Sequence, residues 1–302
     1  MYCMPADSDW NTMNFETILL DIDGPVATIT LNRPDKMNAY THDMMHEVVA
    51  ALDHTDANDD VRAVIFTGAG RAFCAGADLS TGVETFNAVS QSKAEGALDD
   101  NDPRWRDTGG LMNLRIFKSI KPVIAAINGA AVGIGATMIL PMDVRFASNT
   151  AKFAYPFSRR GIAWDGAASW FLPRVVGIST AMDWSLSGRT FPVDEALSEK
   201  LVKQVFAPED LLPAAHEYAR KLAETTAPVS VAVMRQMAWR MLGPHTPMDA
   251  HRIESKAILH AGIGPDAAEG VMSFLEKRAP DFPLKPSTDL PPWYPFWEEE
   301  EY

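Results

Sequence analysis

Cysteine is scarce. Cys3 and Cys74 are the only two in 302 residues, so neither a disulfide framework nor a cysteine metal cluster organises the chain. Cys74, in "AFCAG", reads as a small buried hydrophobe. Basic clusters are missing too: acidic residues outnumber basic ones 40 to 27, for a net charge of −13. Without a stripe of lysine and arginine there is no electrostatic footprint for nucleic acid. The opening residues, "MYCMPADSDWNTMN", have neither the basic start nor the apolar run of an export signal. No uncharged apolar run is expected to span a membrane. These absences predict a cytoplasmic protein with no nucleic-acid or membrane partner. The seven histidines show no metal-ligand spacing, and His42 with His46 is expected on a solvated helix face, so no metal is expected.

What is present reads as an α/β chain. With 47% hydrophobic and 22% charged residues, a sizeable core is expected. "TILLDIDGPVATITLNRP" alternates about Asp23-Gly24-Pro25 and predicts a β-hairpin. A helix carrying Met44, Met45, Val48, Val49 and Leu52 follows, then a buried strand from Val61 to Thr67. Residues 80–108 are polar, acidic and weakly patterned, and are expected to form a mobile loop. A helix from Gly110 to Ile120 leads into "KPVIAAINGAAVGIGATMILPMDVRFAS", which reads strand, glycine turn, helix, strand. Such alternation implies parallel strands joined by crossovers. After Pro208 the pattern is helical, and "DFPLKPSTDLPPWYPFWEEEEY" ends the chain with proline and aromatics that fit either a loose tail or one packed on the body. The expected divisions are an N-terminal tail (1–14), an α/β core (15–208), a helical subdomain (209–280) and a C-terminal tail (281–302).

Three ordered segments carry a resemblance: "AFCAGADL"; "KPVIAAINGAAVGIGATMIL" followed by "DVRFAS"; and "GIAWDGAASWFLPRVVG" followed by "LSGRTFPVDEAL". Together they resemble the enoyl-CoA hydratase/isomerase (crotonase) superfamily over about residues 16–280. The resemblance implies a ββα superhelix with two roughly perpendicular sheets, then helices that assemble a homotrimer or a dimer of trimers. It implies an acyl-CoA thioester as substrate, with coenzyme A entering as part of that substrate and no prosthetic group. Two backbone N–H groups would hold the thioester oxyanion, those of Ala77 in "CAGAD" and Ile134 in "GIGAT". Taken singly, each glycine turn could be no more than a tight connection.

The acids are the informative absence. Hydratases of this family use two glutamates, and the matching positions here are Thr137 and Phe157. Asp165, in "GIAWDGAASW", remains. The stretch around it resembles the phenylacetate-pathway ring isomerases, which use one aspartate there, and a nucleophilic aspartate occupies the same place in a dehalogenase of the family. Asp165 could instead cap a helix from Gly166 to Val175. The two roles oppose each other: capping lowers a carboxyl pKa, whereas desolvation raises it.

For coenzyme A, the resemblance implies Met37, Asn38, Ala39, Arg71 and Ala75 on one subunit, and Phe274 and Lys277 reaching a neighbour's nucleotide. Asp78 is expected to fix its turn, Asp143 to pair between helix and strand, and Arg159 and Arg160 to be solvated. The reading is an acyl-CoA enzyme that isomerises a double bond, with Asp165 as acid and base and with Ala77 and Ile134 holding an enolate. The alternatives are a 2-enoyl-CoA hydratase, an acyl-CoA hydrolase, or a non-catalytic acyl-CoA binder.

Overall fold

The computed structural model describes residues 15–87, 105–243 and 246–299. The expected N-terminal tail and most of the expected 80–108 loop therefore lie outside the described residues. Ile18–Asp23 (β1) and Val26–Leu31 (β2) form the expected hairpin, with Asp23 opposite Val26 across the Gly24-Pro25 turn. His42–Ala57 (α1) follows, capped by Thr41, whose hydroxyl accepts from the N–H of Met44. It turns Met44, Met45, Val48 and Leu52 into the core and leaves His42 and His46 exposed.

From there the chain repeats one step. A strand enters a large sheet, a shorter strand enters a small sheet, and a helix returns. Ala63–Gly68 (β3) and Ala72–Cys74 (β4) lead to Thr108–Lys118 (α2). Val123–Ile127 (β5) and Ala130–Val132 (β6) lead to the single turn Ile134–Thr137 (α3). Val144–Ser148 (β7) and Lys152–Ala154 (β8) lead to Ala168–Val176 (α4) and Ile178–Ser187 (α5). Thr190–Pro192 (β9), Val193–Ser198 (α6) and Gln204–Phe206 (β10) complete the core. The large sheet runs β1-β2-β3-β5-β7-β10 and the small one β4-β6-β8-β9. Among the described residues, only the β1–β2 and β8–β9 pairs are antiparallel. Parallel strands need covered faces, and β3 and β5 are buried along their whole length.

The uncharged segment from Pro122 to Met142 is as long as a membrane span. Asn128 and its glycines break it into β5, β6 and α3, and among the described residues no helix is long and apolar enough to cross a membrane. Two helix starts differ from expectation. Helix α2 begins at Thr108 rather than Gly110, because the Asp107 carboxylate accepts from the N–H groups of Gly109 and Gly110. Helix α4 begins at Ala168 rather than Gly166, because Gly166 and Ala167 both have positive φ.

Pro208–Thr225 (α7) covers the large sheet, packing Leu211, Ala215 and Ala219 on Val26, Ile65, Ile124 and Phe146. Pro228–Arg240 (α8) is tied down by Asp143, as the pairing expectation had it. Asp143 Oδ2 accepts from Arg235 Nε and from the N–H of Val123, both at 2.7 Å, and Oδ1 accepts from Trp239 Nε1 at 2.7 Å. Pro247–Gly262 (α9) and Pro265–Glu276 (α10) follow. The C-terminal stretch lies on the body: Ser287 bonds Asp59, Lys118 pairs with Glu299, and the Arg240 guanidinium sits 3.4 Å over the Trp297 ring.

Arg235 is 4% exposed at its side chain, so removing its acid partner leaves a buried cation. Asp143→Ala is expected to lower unfolding stability by about 3 kcal/mol in urea titration. A loss within error of zero would show that the carbonyls of Phe117 and Ile116, which Arg235 also donates to, hold it alone.

Candidate functional site

The two small-residue turns stand side by side. Strand β4 pairs in parallel with β6, so the turn after Cys74 and the turn after Val132 leave the same edge of the small sheet. Gly135 makes this approach possible, since a Cβ there would lie 2.1 Å from the carbonyl oxygen of Cys74. Ala77 takes part in a parallel bridge with Tyr40 in which the Tyr40 N–H donates to Gly76 O at 2.8 Å and the Asp78 N–H donates to Tyr40 O at 3.0 Å. This pattern uses the groups on either side of Ala77 and leaves its own N–H over. Ile134 opens α3, where a first-turn N–H has no helical partner. Among the described residues, neither N–H meets an acceptor.

Asp165 faces α3. The Thr137 hydroxyl donates to Asp165 Oδ1 at 2.7 Å. The capping alternative fails, because Ala167 is the N-cap of α4 and no side chain caps that helix. Desolvation dominates, and the Asp165 carboxyl is pushed up to about 7; the Thr137 hydrogen bond opposes the rise and the nearby charge of Asp107 adds to it. Phe157, at the other expected acid position, is 6% exposed and belongs to the core.

Two residues that sequence reasoning passed over fix this acid. Asp107 Oδ2 accepts from the Gly166 N–H at 2.7 Å as well as from Gly110. Asn113, wholly buried on α2, donates through Nδ2 to Gly166 O at 2.7 Å and to Thr137 O at 3.0 Å. Two carbonyl acceptors fix the orientation of its amide. The Gly166 peptide is thus held at both ends. No side chain fits at this position: φ is +63°, and a Cβ would lie 2.5 Å from Asn113 Nδ2. Asp107 was legible as a helix cap directly before "TGG", and Asn113 as a polar residue on the face that buries Met112 and Ile116.

The residues matched to coenzyme A divide. Met37 and Asn38 adopt positive φ, and Met37 O accepts from the Ala75 N–H at 3.0 Å. Arg71, exposed, donates through Nε to Met37 Sδ at 2.8 Å. Met37, Arg71 and Ala75 therefore gather beside the β4 turn. The Asn38 amide is fully engaged inside the protein with Arg33 N, Ala69 O and Ala72 O, and Arg33 also bonds Ala39 O. Phe274 and Lys277 stand exposed at the end of α10, apart from this group. Asp78 is fixed as expected: Arg33 pairs with it at 2.7 Å, it caps the turn at Ser80, and its carboxyl is lowered to about 2 chiefly by the Arg33 bond. A groove of about 580 Å³ lies elsewhere, lined by Tyr218, Met234, Arg235 and Trp239, and its one acid, Asp143, is already paired.

An α/β repeat with two small-residue turns side by side, and a partly buried acid bonded to the short helix after the second, fits the class of enzymes acting on acyl thioesters, and the comparisons agree. The family model for enoyl-CoA hydratase/isomerase matches residues 21–285, and the chain belongs to that family, the crotonase superfamily. It is 40% identical over 268 residues to enoyl-CoA hydratase AFT3-1 of Alternaria alternata, covering 87% of this chain and 86% of that one. It is 34% identical over 267 residues to the 1,2-epoxyphenylacetyl-CoA isomerase of Escherichia coli, covering 88% and 98%. The structure of a probable enoyl-CoA hydratase/isomerase from Mycobacterium abscessus superposes with a TM-score of 0.79 at 31% identity, covering 88% of this chain and 98% of that one. The protein is an enzyme of this family.

A carboxyl raised from 3.8 to about 7 binds its proton more tightly in the native state than in the unfolded chain. Its contribution to stability is full below pH 3.8 and is lost as pH rises through 7. In urea titrations from pH 5 to 8, wild type should lose stability relative to Asp165→Asn by up to about 1.4 kcal/mol per pH unit until pH 7, then level off. A difference that does not vary with pH would contradict the raised value.

Proposed function

We propose that the protein moves a double bond along an unsaturated acyl-CoA. The observation that carries this reading is that, among the described residues, the site has one free acid. Asp107 is the other carboxylate nearby, and its two oxygens already accept three backbone N–H groups. Among the described residues a pair of carboxylates dividing the proton transfers of water addition is therefore lacking, and Thr137 cannot act as a base at neutral pH. One acid suffices for a 1,3 proton shift. The Asp165 carboxylate takes a proton from the α-carbon of a 3-enoyl thioester, and the C–H electron pair enters the conjugated dienolate. Negative charge collects on the thioester oxygen, where the Ala77 and Ile134 N–H groups would receive it. The protonated acid then returns the proton to the γ-carbon, giving the 2-enoyl thioester. An acid that titrates near 7 can both take and give a proton at neutral pH.

Coenzyme A enters as the thioester, with Met37, Ala39, Arg71 and Ala75 at its handle, and no step calls for a prosthetic group. The Arg71 guanidinium is suited to phosphate oxygens. The assembly we propose is a homotrimer. Helix α9 buries none of its own residues, and Ile258, Leu259, Ile263, Phe274 and Leu275 of α9–α10 are each at least 66% exposed. So much uncovered apolar surface fits association. Phe274 and Lys277 would then reach a neighbour's nucleotide.

Incubation with 3-enoyl-CoA thioesters in D₂O should show deuterium at the α- or γ-carbon together with double-bond migration. Asp165→Asn should slow this by about 10³-fold or more. The wild-type kcat/KM should rise with pH through about 7 as Asp165 ionises. A 3-hydroxyacyl product would replace isomerisation by hydration, the activity in the name of the Alternaria relative; free acid would indicate hydrolysis; and bound, unchanged thioester a binder. Light scattering should give three times the chain mass, reduced in Phe274→Asp. A monomeric wild type would overturn the assembly.

A further inference from the structure

One buried polar group near Asp165 is used by nothing above. The Tyr40 side chain is 8% exposed, and its hydroxyl meets no hydrogen-bond partner among the described residues. Its backbone is pinned on either side of Ala77, by Gly76 O and the Asp78 N–H. Its phenol lies within electrostatic reach of Asp107, which caps α2, of Asp165 and of Cys74. The Thr108 side chain is close enough to ease its ionisation, second only to burial in its effect, but does not complete a hydrogen bond to it.

Asp107 accepts three N–H groups, and Asp165 Oδ1 takes the Thr137 hydroxyl. Burial raises the phenol well above its ordinary pKa, so it remains a protonated donor throughout the working range. The ring packs in the core with or without its oxygen, so a phenylalanine would serve the fold equally well. Most buried hydroxyls are paired, and an unpaired one beside a reacting centre is free to meet a partner on the ligand. Near the acid and the α2 entrance, that partner belongs to the acyl group.

We propose that the Tyr40 hydroxyl determines specificity by hydrogen-bonding an oxygen substituent on the acyl chain, so that the substrate is an oxygen-bearing unsaturated acyl-CoA rather than a plain hydrocarbon one. The inference rests on the acyl-CoA reading of the site but not on the isomerisation step. A site built to bond a polar substituent discriminates strongly against the analogue that lacks it, because its own group is then left unpaired.

The test uses saturated acyl-CoA thioesters, which cannot isomerise, measured by calorimetry on the full chain. A plain chain is compared with chains of the same length carrying one hydroxyl at successive positions beyond the β-carbon. At one position the hydroxyl should strengthen binding to wild type by about tenfold or more. Tyr40→Phe should abolish that gain and leave affinity for the plain thioester unchanged. The proposal is overturned if no hydroxylated thioester outbinds the plain one on wild type, if the gain survives in Tyr40→Phe, or if the variant weakens both ligands alike. Because binding is read without turnover, these outcomes stand whether or not deuterium exchange supports isomerisation. Failure of every thioester to bind would instead strike the acyl-CoA reading itself.

Discussion

The Gly166 peptide is held at both ends, its N–H on Asp107 and its C=O on Asn113, and the geometry of the site follows from that clamp. Asp165 immediately precedes it. With the next residue fixed, the carboxyl is kept against the Thr137 hydroxyl and partly buried, and its pKa moves from that of a surface aspartate to about 7. The clamp requires glycine at 166, because the left-handed backbone and the close Asn113 amide leave no room for a Cβ. It also draws α2, α3 and the 165–167 turn into one unit: Asn113 bonds the carbonyls of Thr137 and Gly166, and Asp107 caps α2 with the same carboxylate that bonds Gly166.

In the proposed site the groups that receive charge are backbone N–H groups rather than charged residues. Parallel pairing of β4 with β6 brings two turns to one sheet edge, and both present a backbone N–H that no described residue accepts. In the proposed reaction the acid and the two N–H groups act on the same electrons from opposite ends, one taking the proton and the others receiving the charge. That arrangement needs no reorganisation when charge develops. Thr137, at a position where the resemblance implies a glutamate in hydratases, donates its hydroxyl to Asp165 instead.

Much of this was legible in the sequence, for physical reasons. The β1–β2 hairpin showed through alternation, the buried strands through uninterrupted apolar runs, and α1 through its spacing of Met44, Met45, Val48 and Leu52. Asp165 stood out as an acid in apolar company. What escaped were contacts between segments distant in the chain. Strand β6 is only three residues long and lies inside what reads as a glycine turn. Asp107 signals a cap, but nothing in its neighbourhood announces a second bond to Gly166, 59 positions away. The unpaired state of the Tyr40 hydroxyl belongs to the fold alone, since a tyrosine in "NAYT" carries no such mark in sequence.

The account stands or falls on the state of one carboxyl. Isotope-edited infrared or carbon NMR titration of Asp165, in protein labelled with ¹³C at the aspartate carboxyls and assigned by comparison with Asp165→Asn, measures it directly. A carboxyl that titrates near pH 7 is the predicted result. One that titrates near the ordinary aspartate value of about 4 would mean that the acid is hydrated and not tuned for proton transfer, and would contradict the central claim.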